Sequence, residues 1–172
     1  MPFEIERKFL VANENWRSAI IGSDKLIDGL ISEFNGSKVR VRLGQNKASL
    51  TVKGPRSGAT RTEFEYDIPK ADAVAMLMTV CDQKLFEKTR YAVEHAGFTW
   101  SIDVYEGRLA GIIIAEIELE YENQYFEKPD WVGLDVTDDP RFHKRTMGRM
   151  RRHARHSPPD PLCHCRTGQP TA

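Results

Sequence analysis

At 172 residues the chain has the size of one domain and enough material to bury a core. Its 25 lysines and arginines equal its 25 aspartates and glutamates, so no overall field draws it to nucleic acid or to an anionic membrane. Three irregularly spaced cysteines exclude a secreted disulfide framework.

The start lacks the basic and apolar segments of a signal peptide. The longest apolar run, Leu109 to Ala115, is too short to cross a bilayer, so a cytoplasmic protein is expected. Phe3 to Val11 alternates, with Glu4, Glu6 and Lys8 on one face and Phe3, Ile5 and Phe9 on the other, which predicts a strand. Asn13 as N-cap and Gly22 as stop predict a helix next. Strands are then expected at Lys25–Ser32, Lys38–Leu43, Ala48–Lys53 and Arg61–Ile68, with turns at Gly44-Gln45-Asn46 and Gly54 to Gly58. A second helix begins beyond Pro69, with Val74, Leu77, Met78 and Cys81 as its apolar stripe. Three more strands follow, at Phe86–Glu94, Phe98–Tyr105 and Ile112–Glu122.

Beyond Glu122 the alternation is lost, apart from turns at Pro129-Asp130-Trp131 and Asp138-Asp139-Pro140 and a short helix after Pro140. Residues 1–148 therefore read as one domain and 149–172 as a basic, then proline-rich, disordered tail. The histidines and cysteines of that tail lack the spacing of a zinc site. Short turns between antiparallel strands, with few helices, indicate an α+β, mainly β, class.

The strands carry like charges in i, i+2 pairs: Glu4/Glu6, Glu63/Glu65, Glu116/Glu118/Glu120, Arg40/Arg42 and Lys88/Arg90. Such neighbours share a face about 7 Å apart and repel by about 2 kcal/mol at an effective dielectric near 20. A solvated sheet face with cross-strand neutralisation is the plain explanation. Recurrence of same-sign grouping on strand after strand favours another: a closed barrel with its charged face inward, of the size that holds one small ligand. Buried charge needs partners, and a polyphosphate with a divalent cation supplies both signs. Arginine forks suit phosphate oxygens, and carboxylates suit a hard cation such as Mg2+ or Mn2+.

These residues resemble, in order, the motifs of the CYTH superfamily, the triphosphate tunnel metalloenzymes. Glu4-Ile5-Glu6-Arg7-Lys8 resembles its E-x-E-x-K opening. Val39-Arg40-Val41-Arg42, Leu50-Thr51-Val52-Lys53 and Arg61-Thr62-Glu63-Phe64-Glu65 are similar to its next strands. Glu87-Lys88-Thr89-Arg90-Tyr91, Asp103 and Glu116-Ile117-Glu118-Leu119-Glu120 continue the match. The resemblance implies an eight-stranded antiparallel tunnel threaded by one triphosphate. It implies Lys8, Arg40, Arg42, Lys53, Arg61, Lys88 and Arg90 on the phosphates, and Glu4, Glu6, Asp103, Glu116, Glu118 and Glu120 on Mg2+ or Mn2+. Lys8 and Lys88 become the catalytic candidates.

The activity most in keeping is hydrolysis of inorganic tripolyphosphate, with a small-molecule triphosphate as the partner and a homodimer left open. Class IV adenylate cyclase, nucleoside or thiamine triphosphatase and a non-catalytic polyphosphate-binding module are the alternatives. Three departures from the family pattern stand out. Leu30 occupies the place of a second-strand tyrosine that pairs with the lysine in some triphosphatases, Asp135-Val136-Thr137 replaces a glutamate before Val-Thr, and Phe142-His143-Lys144 replaces a Tyr-Asn motif.

Overall fold

The alternation of the sequence becomes nine strands and one α-helix in a computed structural model that describes residues 3–81, 85–142 and 146. The strands are β1 (Phe3–Val11), β2 (Ile20–Phe34), β3 (Ser37–Leu43), β4 (Ala48–Lys53), β5 (Thr60–Ile68), β6 (Leu85–His95), β7 (Phe98–Tyr105), β8 (Ile113–Glu118) and β9 (Val132–Asp135), and α1 spans Lys70–Thr79. The tail 149–172, with its cysteines and histidines, lies outside the described residues, as do His143 and Lys144.

Pairing runs β5-β4-β3-β2-β6-β7-β8-β1, all antiparallel. Phe3↔Thr62, Glu4↔Arg61 and Ile5↔Thr60 then bring β5 back to β1, so eight strands close a ring. β9 lies beside β1 beyond that closure, through Phe9↔Asp135 and Val11↔Val132. Two-residue turns with positive φ at both positions, Asn35-Gly36 and Ala96-Gly97, join β2 to β3 and β6 to β7. That geometry matches the right-handed twist of the flanking strands.

Because the charged side chains face inward, the two larger apolar cores sit outside the ring, while a smaller cluster of Tyr105, Leu109 and Ile114 reaches the cavity wall. Phe9, Trp100, Ile102, Ala115 and Ile117 point outward from β1, β7 and β8, where Trp16, Phe126 and Trp131 cover them. Trp100 and Trp131 meet edge to face at 5.3 Å in this core, as packing residues. On the other side α1 lies against β2, β3 and β4 through Ala73 and Leu77, joined by Cys81 just beyond its end. Gly29 permits that approach, since a Cβ there would stand 2.6 Å from both Cys81 Sγ and Leu77 Cδ2.

Four expectations change. The helix after Asn13 is a 3-10 turn, Asn15–Ala19, although Asn13 Oδ1 does accept the Asn15 N–H. Burial of Trp16 against Tyr91 and pairing of Ile20 with Val93 draw the following residues into β2, which starts at Ile20. The apolar face of α1 is rotated from the one expected: Ala73, Leu77 and Cys81 are buried, whereas Val74 is 42% and Met78 81% exposed. β8 ends at Glu118 and not at Glu122, because the chain turns away to lay Phe126 and Trp131 over the outer core. β9 has no forerunner in the sequence reading, four residues with a glycine being too short for an alternation.

Candidate active site: a charged tunnel

The inward side chains surround a cavity of about 690 Å³, within the range of small-molecule sites. Eight lysines and arginines and eight carboxylates line it, so the wall is balanced in charge. Period-two alternation places them there: Glu4, Glu6 and Lys8 on β1, Lys38, Arg40 and Arg42 on β3, Arg61, Glu63 and Glu65 on β5, Glu116 and Glu118 on β8.

Like charges along each strand meet unlike charges from its neighbours, and the contacts join into an unbroken series of alternating sign. Lys53 bridges Glu63 (2.5 Å) and Glu4 (3.0 Å). Arg61 bridges Glu4 (2.5 Å) and Glu6 (3.8 Å). Lys8 links Glu6 (2.8 Å) to Glu116, and Arg90 links Glu116 (2.6 Å) to Asp103 (2.7 Å). Lys88 connects Asp103 to Asp28 (3.8 Å), and Asp28 ends the series on Arg42 (2.7 Å). An unlike pair near 4 Å attracts by about 4 kcal/mol at the dielectric where the i, i+2 repulsion is about 2 kcal/mol. Attraction therefore wins, and the cross-strand neutralisation of a plain charged sheet operates here inside a closed ring.

The electrostatics follow from these neighbours. Burial works against the Glu4 carboxylate, but Lys53 and Arg61 overcome it and hold Glu4 well below the usual carboxylate range. Burial would likewise raise Asp103, yet Lys88 and Arg90 keep it low and ionised. Burial works against the Lys8 ammonium, but Glu116 and Glu6 outweigh it and raise the group, so it is charged at neutral pH. Glu118 moves the other way, lifted by burial and then by repulsion from Glu4 and Glu6.

Of the residues expected at the site, Glu4, Glu6, Lys8, Arg40, Arg42, Lys53, Arg61, Arg90, Glu116 and Glu118 line the cavity together. Lys88 and Asp103 stand behind that surface, their side chains 0% exposed and paired with each other. Glu120 is not brought in: it is exposed beyond the end of β8, where its N–H donates to Gln124 Oε1. Several wall residues escaped the sequence reading. Asp28 lies inside a predicted strand at the parity of Leu30, and Lys38 precedes Arg40 at the same parity, so alternation could have found both. Glu65, 3.7 Å from Arg40, was visible as a charge ladder only. Arg56, in the connection after β4, has no periodic signal, and it reaches Glu6 at 3.1 Å. Tyr105 closes the wall near Lys88, whose Nζ is 5.7 Å from the ring centre.

For a divalent cation the donor chemistry fits: Glu4, Glu6, Glu116 and Glu118 are hard oxygen donors, and repulsion from the other three adds to the burial that lifts Glu118. No trio of histidine, cysteine or carboxylate side chains among the described residues stands in metal-holding geometry. The reason is on the wall itself, where Glu4, Glu6 and Glu116 are turned onto lysines and arginines.

The same arrangement has relatives. The CYTH domain family model matches residues 2–146. An inorganic triphosphatase of Acetivibrio thermocellus is 43% identical over 142 residues, which cover 83% of this chain and 90% of that protein. An inorganic triphosphatase of Nitrosomonas europaea is 30% identical over 148 residues, 84% of this chain and 95% of that protein. A crystal structure of an inorganic triphosphatase superposes with a TM-score of 0.61 at 29% identity, covering 84% of this chain and 97% of its own.

Proposed function

Since the chain belongs to the CYTH domain family, we propose that it is a metal-dependent triphosphatase whose substrate is inorganic tripolyphosphate, split to pyrophosphate and phosphate. The observation that carries this reading is the enclosed alternating network, in which each cation has a carboxylate as a stand-in for phosphate. A triphosphate entering the tunnel displaces those carboxylates from Arg40, Arg42, Lys53, Arg61 and Arg90. Glu4, Glu6 and Glu116 are thereby released and, with Glu118, would hold Mg2+ or Mn2+. When bound, that ion supplies Lewis-acid neutralisation of the phosphate oxygens.

Phosphoryl transfer asks mainly for positioning and charge. Water attacks the terminal phosphorus, the bridging P–O bond breaks, and its electrons leave on pyrophosphate. Arg61 and Arg90 hold the phosphoryl oxygens in fork geometry. Lys8, kept protonated by Glu6 and Glu116, acts as a charged donor to the reacting phosphate rather than as a base. Lys88 acts from behind the wall as a positioning residue, holding Asp103 and through it Arg90.

No helix among the described residues is long and apolar enough to cross a membrane, and Cys81 is a buried free thiol. The free thiol accords with the cytoplasmic setting proposed here.

Phosphate release from tripolyphosphate, ATP and thiamine triphosphate, each with Mg2+ or Mn2+, tests the proposal, with cyclic AMP measured in the ATP arm. Tripolyphosphate is expected to be the best substrate, and Lys8→Ala or Glu4→Gln to lower kcat/KM by about 100-fold or more. A folded protein that releases no phosphate from any of them refutes it, and cyclic AMP as the product of ATP would point to the cyclase reaction instead.

A further inference from the structure

Tyr105 ends β7 on the tunnel wall, two positions on from Asp103 at the same parity and opposite Lys88 on β6. It is 2% exposed. Its ring packs with Leu109 and Ile114, and Phe86 and Phe142 lie against that cluster, so this end of the cavity is apolar. Its backbone N–H donates to Ile112 O at 3.1 Å, but its hydroxyl makes no hydrogen bond among the described residues. A buried tyrosine hydroxyl ordinarily has a partner, and the space left for one here is the cavity itself.

Two hydroxyls line the cavity among the described residues, and they differ in kind. Thr137 Oγ1 is occupied, donating to Asp135 Oδ1 at 2.6 Å and accepting the Lys8 N–H at 3.0 Å. Tyr105 is the open one, and Leu30, on the same wall, offers none. In the proposed function the cations serve phosphate and the carboxylates serve the metal, which leaves the attacking water without a holder. Water both donates and accepts hydrogen bonds, and so does a phenol. Burial first, and then Asp103, Glu116 and Asp28, push the Tyr105 phenol well above its ordinary value, so it keeps its proton. It is a hydrogen-bonding group and not a base. The same three carboxylates make the spot fitter for neutral water than for an anionic phosphate oxygen.

We infer that Tyr105 is a further catalytic residue, whose hydroxyl holds the attacking water at the apolar end of the tunnel, beside the phosphoryl group on Arg90. The inference rests on the triphosphatase reading. In the step, the water oxygen bonds to the terminal phosphorus as the bridging P–O bond breaks, and that electron pair leaves on pyrophosphate. The proton shed by water ends on a product phosphate oxygen, and Tyr105 neither gains nor loses one.

Tyr105→Phe deletes the hydroxyl and keeps the ring in its cluster. Turnover of tripolyphosphate by the full chain with Mg2+ is measured for this variant and the wild type, with calorimetric binding of tripolyphosphate and thermal melting alongside. The expected result is a fall in kcat of at least about tenfold, with KM and affinity within about twofold, because the lost contact is to water. Melting at or above the wild-type temperature is expected as well, since an unpaired hydroxyl is removed. Unchanged kcat overturns the assignment. So does a higher KM or weaker affinity at unchanged kcat, which would put the hydroxyl on the substrate. A variant that melts well below wild type also overturns it, by showing that the hydroxyl serves the fold. A wild type that releases no phosphate overturns the triphosphatase reading and this assignment together, whereas failure of the assignment alone leaves wild-type turnover intact.

Discussion

Glu118, a proposed metal ligand, is a single side chain in this wall whose charge weighs against the fold itself. Burial first, and then repulsion from Glu4, Glu6 and Glu116, raises its carboxyl, and it makes no ion pair among the described residues. A raised carboxyl means that its charged form, dominant at neutral pH, weighs against the folded state. Glu118→Gln is therefore expected to raise the melting temperature of the ligand-free protein by about 1 °C, a gain kept small by solvent screening. The same change should weaken Mg2+ or Mn2+ binding in calorimetry. A variant that melts lower than wild type, or binds metal as well, would contradict the assignment. Much at this scale was legible beforehand: Glu4, Arg40, Arg61 and Glu116 face inward because strand parity dictates it. Arg56 was not legible, since a loop side chain has no parity to read.

The elements that support the wall are more sensitive to shape than to charge. Leu77 of α1 and Cys81 just after it pack directly over Gly29 of β2, a position with no room for a side chain. Gly29→Val should force those side chains aside and cost about 1–3 kcal/mol, lowering the melting temperature by several degrees. Calorimetry on the purified variant checks this, and unchanged melting would mean that α1 is loosely docked. The helix also shows where element-level reading failed. Val74, Leu77, Met78 and Cys81 form an apolar stripe in sequence, but only Leu77 and Cys81 are buried, with Ala73 as the third member. Small Ala73 is chosen because close approach to the sheet, not residue hydropathy, decides which face turns in. Glu120 failed for a related reason. It keeps the parity of Glu116 and Glu118, but parity has meaning only while the strand lasts, and β8 stops at Glu118.

At the scale of the whole molecule, the balance of eight cations against eight carboxylates makes the two ligands depend on each other. Tripolyphosphate alone strands Glu4, Glu6 and Glu116 in a low-dielectric tunnel, and a metal ion alone strands the lysines and arginines. Each ligand relieves the cost imposed by the other. Affinity for tripolyphosphate, corrected for the metal–triphosphate complex in free solution, is thus expected to rise at least about tenfold when Mg2+ replaces a chelator. The metal should gain by the same factor, as linkage requires. Independent binding, with no gain for either, would show that the carboxylates and cations are not exchanged as described.

The ordered motifs of this chain determined by themselves that there are alternating strands, that the signs are grouped, and which faces carry them, because period-two geometry is local to each strand. Closure of β5 onto β1, the single alternating series running from Glu63 to Arg42, the exclusion of Glu120 and the arrival of Arg56 at the wall were decided only by tertiary structure. Those features depend on which strands become neighbours and where each one ends. That outcome is set by packing between segments far apart in the chain, which no short stretch of sequence encodes.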